Sequence, residues 1–224
     1  MKDDHYMDID FKDNTPNFQI NRREFFKIAG GGIFIFFTLK DMSVFAQQSQ
    51  QQSLPTDFNA FLKIGEDGRV TCFTGKIEMG QGVITSLAQM LADELDVTLD
   101  DVDMVMGDTD LCPWDMGTFG SMSTRFFGPP LRKAGAEGRM VLLQLASEEL
   151  KVPVKNLATD NGIVFDKKNK NKKVTYARLA KGKRITKKLT ETATVKKPSE
   201  FKIMGKPYLP VSYTHLTLPT KRIV

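Results

Sequence analysis

The sequence predicts an α+β fold of short hairpins and two main helices. Three observations predict it: pairs of short apolar runs flanking glycine-bearing turns, two longer stretches with apolar residues at helical spacing, and a balanced composition. At 41% hydrophobic and 26% charged over 224 positions, the chain fits one large or two small globular domains.

The elements follow in chain order. Residues 1–46 read as an export signal, with Asn21-Arg22-Arg23-Glu24-Phe25-Phe26-Lys27 as a twin-arginine motif. Ile28 to Leu39 is an apolar, glycine-interrupted stretch about one-third short of a membrane span, and Val44-Phe45-Ala46 offers small-residue cleavage chemistry. Arg22, Arg23 and Ala46 are thus the expected signal residues, the twin-arginine export machinery the expected partner and the periplasm the expected destination. That route carries proteins already folded around a cofactor. The competing reading is an amphipathic or core helix of a cytosolic protein. Asp3, Asp4, Asp8, Asp10 and Asp13 make the leader unusually acidic. Residues 47–57 form a glutamine-rich spacer with no period, expected to be disordered.

Residues 58–180 carry the main subdomain, with the fold expected to begin near Asn59. Phe61 to Ile64 and Val70 to Thr74 flank Glu66-Asp67-Gly68-Arg69, a hairpin signal. After the loop Gly75–Gly82, residues Ile84, Leu87, Leu91 and Leu95 fall at helical spacing in a helix that starts at Val83 and ends before Asp100. Val102 to Met106 is a short strand. Asp108 to Ser123 has no period and is a long loop, and loops of that length are usually functional. A second helix starts near Pro129-Pro130 and runs to about Leu150. Leu157 to Thr159 and Ile163 to Phe165 flank Asp160-Asn161-Gly162, a strong hairpin signal. Val174 to Tyr176 is a strand and Ala177 to Ala180 a turn of helix. Residues 181–210 read as a charged connector with weak strand character, leading toward a further domain. Residues 211–224 carry no period, resemble a translated adaptor-like tail and are set aside from the fold.

Charge and residue counts exclude several classes of chemistry. The net charge is +5, and lysines crowd the chain from Asp166 to Lys206. Only two aromatic residues, Tyr176 and Phe201, fall in this stretch, too few to stack along bases, so the sequence indicates a solvated hairpin and linker rather than a nucleic-acid surface. The two histidines are His5, in the leader, and His215, in the tail. Between them no histidine-based triad, zinc site or haem ligation is available. Cys72 and Cys112 form no CxxC pair, so no iron-sulfur cluster or zinc knuckle is expected; a disulfide between them and two ordinary thiols remain alternatives.

Two loops carry the candidate site. Gly75-Lys76-Ile77-Glu78-Met79-Gly80-Gln81-Gly82 lies between a strand and a helix, where free backbone amides favour anionic groups. It is not a phosphate loop, since Gln81 stands at the lysine position, and it is not a dinucleotide fingerprint, since Thr85 stands at the third glycine. Gly117-Thr118-Phe119-Gly120-Ser121-Met122-Ser123-Thr124 offers small residues, hydroxyls and amides to a polar heterocycle, or a helix cap at Ser123 or Thr124.

Taken together, these loops resemble the molybdopterin-binding subunits of the xanthine oxidase family, in the branch of isoquinoline 1-oxidoreductase beta subunits. The resemblance runs from about Phe58 to Pro207 and includes Ala92-Asp93-Glu94-Leu95, Gly107-Asp108-Thr109 and Arg132-Lys133-Ala134-Gly135 in the same order. It implies part of a molybdopterin-binding domain, with Met79, Gly80, Gln81, Gly120, Ser121, Met122 and Ser123 contacting the pterin, either alone or as a dinucleotide. It also implies an oxidoreductase that hydroxylates an electron-poor carbon of an N-heterocycle or aldehyde with a water-derived oxygen. In the family a glutamate is the general base and lies beyond the region matched here, so no catalytic residue and no metal ligand is assigned, and Glu78 is not given the role. A separate 2Fe-2S electron-transfer subunit is the implied partner, and the stretch in hand is expected to be inactive alone. Two other readings stand beside it: a non-catalytic exported cofactor- or anion-binding domain, and a basic interaction protein acting through its lysine-rich half.

Overall fold

The structure is a computed structural model that describes residues 31–37, 60–113, 115, 117–188 and 193–207. In chain order its elements are β1 (Gly32–Phe37), β2 (Ala60–Ile64), β3 (Val70–Thr74), α1 (Val83–Leu95), β4 (Val102–Met106), α2 (Gly128–Leu150), β5 (Leu157–Asp160), β6 (Ile163–Asp166), β7 (Lys173–Thr175), α3 (Tyr176–Ala180) and β8 (Arg184–Lys188). A five-stranded sheet has the order β4-β3-β2-β1-β8, and a three-stranded sheet the order β5-β6-β7. The fold is α+β, as the sequence indicates.

The β2–β3 hairpin forms because two β-rich runs meet at a turn closed by Gly65 N–H donating to Arg69 O at 2.9 Å. Along β3 buried positions alternate with half-buried ones, the pattern of a strand with one face in the core. α1 then crosses over, and β4 returns parallel to β3. Leu87, Leu91 and Leu95 of α1 are buried with Leu131, Ala134, Val141 and Leu142 of α2 and with the inward residues of β1 to β3, making one continuous core. The second sheet starts from a tight turn in which Asn161 and Gly162 both adopt positive φ, the conformation a two-residue hairpin needs. Tyr176, buried at the start of α3, donates its hydroxyl to Leu95 O at 2.6 Å and ties the small sheet to the end of α1.

The sequence reading needs correction at both ends of the subdomain. It began the fold near Asn59, but Gly32–Phe37, within the stretch read as the leader, is an inner strand paired on both sides. The reason is compositional: a short run of isoleucine and phenylalanine suits a strand buried on both faces as well as it suits a leader. At the other end, residues 193–207 are a docked strap rather than a connector. Glu94, fully buried, accepts from Arg132 Nε at 2.9 Å and from Lys196 N–H at 3.1 Å. Asp93 accepts the N–H groups of Lys202 and Met204 at 2.8 and 2.6 Å, and Arg132 lies over the Phe201 ring at 4.9 Å. Lysines 167, 168, 170 and 172 lie on the exposed β6–β7 turn, and Lys173 is the exposed first residue of β7. Arg22, Arg23, Ala46, the spacer 47–57 and the tail 211–224 lie outside the described residues.

Candidate functional site

The two loops that the sequence singles out are laced together by buried contacts. Lys76 leaves the end of β3 and turns inward, where its Nζ is 2.7 Å from Asp115 Oδ1 and donates to Gly117 O at 2.8 Å. Both side chains of this ion pair are almost wholly buried, at 4% and 1% exposure. Gly117 N–H donates to the same Asp115 oxygen at 2.8 Å, and Ile77 N–H donates to Thr118 Oγ1 at 2.8 Å. Close approach is also required of the backbone: a Cβ on Gly75 would lie 2.4 Å from Asp115 Cβ and 2.8 Å from Pro113 O. Asp115 Oδ2 is buried and has no hydrogen-bond partner among the described residues.

The predicted site residues sit just beyond these ties. Met79 and Gln81 are exposed on the first loop, Gly120 and Ser121 on the second, with Gly80 and Met122 half-buried and Ser123 buried. The contacts joining the loops are made by Lys76, Ile77, Asp115, Gly117 and Thr118, residues that sequence reasoning missed as a set. No local signal could have paired Lys76 with Asp115, which are brought together only by the crossover through α1 and β4. Ser123 does not cap α2: a π-helical turn, Ser123–Phe127, precedes that helix, and no side-chain cap bond is made there.

Glu78 decides what the first loop can bind. Its carboxylate accepts the N–H groups of Gly80 at 2.7 Å, Gly82 at 3.0 Å and Ile84 at 2.8 Å. Partial burial pushes its pKa up, but the hydrogen bonds from Ile84, Gly82, Gly80 and Gln81 outweigh burial and hold it below its ordinary value. Because the folded pKa is lowered, the stability Glu78 adds is present above its ordinary value of 4.5 and is lost as pH falls through the folded value. The expected result is that the stability gap between the parent and Glu78→Gln, read by urea denaturation, closes as pH drops below 4.5. The amides that the sequence offered to an external anion are therefore taken by the chain's own carboxylate. Gln81 is also folded back, accepting Met79 N–H at 2.6 Å and donating to Ile77 O at 3.0 Å.

What remains fits a flat polar heterocycle better than a free anion. Among the described residues, four of the five exposed large hydrophobic side chains are Ile77, Met79, Ile84 and Phe119, all on these loops or at the start of α1. An apolar rim beside polar groups is the usual make-up of a ligand or partner surface. Gln81 and Ser121, both exposed, add side-chain groups that hydrogen-bond in either direction.

Residues 9–216, a stretch that includes β1, match the molybdopterin cofactor-binding domain family. The chain is 34% identical over 146 residues to a subunit of nicotinate dehydrogenase from Pseudomonas putida, covering 65% of this chain and 12% of that one. It is 33% identical over 129 residues to the beta subunit of isoquinoline 1-oxidoreductase from Brevundimonas diminuta, covering 54% of this chain and 16% of that one. The solved structure of quinoline 2-oxidoreductase from Pseudomonas putida 86 aligns with a TM-score of 0.48 at 27% identity, over 54% of this chain and 15% of that chain. The chain thus spans less than a fifth of the length of these relatives, and it belongs to the molybdopterin cofactor-binding domain family, among the molybdenum-binding subunits of the xanthine oxidase family.

Proposed function

We propose that the loops 75–82 and 107–123 form one wall of a molybdopterin site in a molybdenum-dependent oxidoreductase subunit that acts on N-heterocycles or aldehydes. The observation that carries the reading is the buried Lys76–Asp115 pair, which fixes the two loops side by side. In this reading the bound group supplies two-electron oxidation at its metal. The chain supplies position. The Gln81 side chain hydrogen-bonds the heterocycle edge, Met79 and Phe119 cover its face, Ser121 binds its polar side, and the buried Lys76–Asp115 pair holds the two loops in place beneath them. Glu78 stays bonded to the α1 amides, so any phosphate of the cofactor, or the second nucleotide of a dinucleotide form, is held away from that helix end. The similarity to subunits of nicotinate dehydrogenase and isoquinoline 1-oxidoreductase supports an electron-accepting partner subunit, which we take to carry a 2Fe-2S cluster. Arg22-Arg23 and Ala46 support export to the periplasm by the twin-arginine route.

Co-expression of the gene with its neighbours tests the reading. The purified complex is expected to contain molybdenum and pterin and to reduce a dye when given nicotinate or isoquinoline. Pterin retention with no dye reduction by any heterocycle or aldehyde would favour a non-catalytic cofactor-binding domain, a reading supported by the absence of histidine between residues 6 and 214.

A further inference from the structure

The Gly32–Phe37 strand belongs to two accounts at once. In the sequence it is the apolar part of a twin-arginine leader; in the structure it is an inner strand of the sheet. We propose that the gap between β2 and β8 is a strand-acceptor site whose occupant is the chain's own leader, so that the folded domain withholds the export signal until the strand is released. This rests on the export reading above.

The sheet itself shows that β1 is an added strand. The β2–β3 hairpin and the β3–α1–β4 crossover close on themselves through consecutive elements. β1 then lies antiparallel along the free edge of β2, from Phe37 opposite Ala60 to Ile33 opposite Ile64. Among the described residues β8 pairs with β1 alone, in parallel, so its place in the sheet is set by β1. This is strand addition to an exposed sheet edge, with main-chain bonds and alternate side chains both used. Ile33, Ile35 and Phe37 join the main core on one face, with the Phe37 and Phe127 rings 5.8 Å apart. On the other face Phe36 packs on Phe61 at 5.7 Å.

The glycines of the leader have a docking role. Gly32 has φ +134, and a Cβ there would lie 2.4 Å from Ile64 O; a Cβ on Gly31 would lie 2.2 Å from Glu66 Oε1. That same Glu66 oxygen accepts Gly182 N–H at 3.0 Å, and Gly32 N–H donates to Lys183 O at 2.9 Å. The entry of β1 is therefore seated against the β2–β3 turn and the approach to β8 together, a fit that leader hydrophobicity alone does not require. Since the apolar residues that export machinery would engage are the ones the sheet buries, one segment cannot serve both at the same moment.

Two variants of the full chain push the equilibrium in opposite directions. Gly32→Val puts a side chain against Ile64 O while making the leader more apolar. Hydrogen exchange is expected to show lost protection in 33–37 and 184–188 with 70–74 and 102–106 still protected, and uptake into inverted bacterial inner-membrane vesicles is expected to rise several-fold. The paired substitution Phe34→Cys with Lys63→Cys, at facing positions of β1 and β2, is expected to stop uptake when oxidised and to restore it when reduced. Equal uptake of the oxidised and reduced forms, or unchanged uptake after β1 is shown to be unseated, would overturn the proposal. So would an absence of exchange protection in 33–37 of the parent chain. If uptake survives Arg22→Lys with Arg23→Lys, or if neither the parent nor Gly32→Val is taken up, the export reading itself fails and the masking role with it.

Discussion

Lys76→Met is expected to destabilise the domain by about 3–5 kcal/mol, because truncating one partner of a buried ion pair leaves the other charge without compensation. The remaining carboxylate of Asp115 would keep only the Gly117 N–H at 2.8 Å, with Oδ2 already lacking a partner. Asp115→Leu alone should cost a similar amount by stranding the Lys76 ammonium. The double change Lys76→Met with Asp115→Leu is expected to recover most of the loss, since well-packed apolar residues often replace a buried pair at little cost. Urea midpoints of the four chains give the coupling directly. Single variants as stable as the parent would show that the pair does not hold the loops. Stability and site geometry separate in the double variant: a recovered fold that lacks the Lys76 and Asp115 hydrogen bonds to Gly117 should hold the second loop less firmly and retain less pterin.

Glu94→Ala is expected to cost about 3–5 kcal/mol as well, by leaving guanidinium charge buried without its carboxylate. Arg132 NH2 lies 2.7 Å and Arg139 NH2 3.7 Å from the Glu94 carboxylate, which is fully buried. The same carboxylate holds Lys196 N–H, so the loss should spread to the strap 193–207. Hydrogen exchange is expected to report lost protection at residues 196–204 while β2 and β3 remain protected. Asp93→Asn should loosen only the 202–204 end, because Asp93 accepts the Lys202, Ile203 and Met204 amides and not Lys196 N–H. Strap protection unchanged in Glu94→Ala would show that the remaining contacts, among them Asp93, the Lys196–Asp96 ion pair, Gln89 and the Arg132–Phe201 contact, are sufficient to hold it.

Local pattern explains how much of this was legible from the sequence. Both hairpins, the two main helices and β4 were readable, because each rests on near-neighbour signals: the Asp160-Asn161-Gly162 turn, the spacing of Leu87, Leu91 and Leu95, and Pro129-Pro130 at a helix start. The strand β1 was misread, because Gly32 to Phe37 has no alternation and its partners are far along the chain. The strap was read as a connector for a related reason. Its polar residues look solvated until Asp93 and Glu94 are seen at the end of α1, facing inward against helix-surface expectation. At the site, the two loops were found from glycine and hydroxyl content, but not what joins them. Glu78 could be withheld from catalysis on sequence grounds; that it fills the amide nest of its own loop required coordinates.

Pterin retention by the purified full chain tests the central claim most directly. Produced in a molybdopterin-making host, the parent is expected to carry pterin, read as fluorescence after oxidative release. Gln81→Ala, an exposed position, is expected to keep the fold and lose about tenfold in retention, the effect of one to two kcal/mol of lost hydrogen bonding. A folded parent chain with no pterin above background, or a Gln81→Ala chain that retains as much as the parent, would contradict the account.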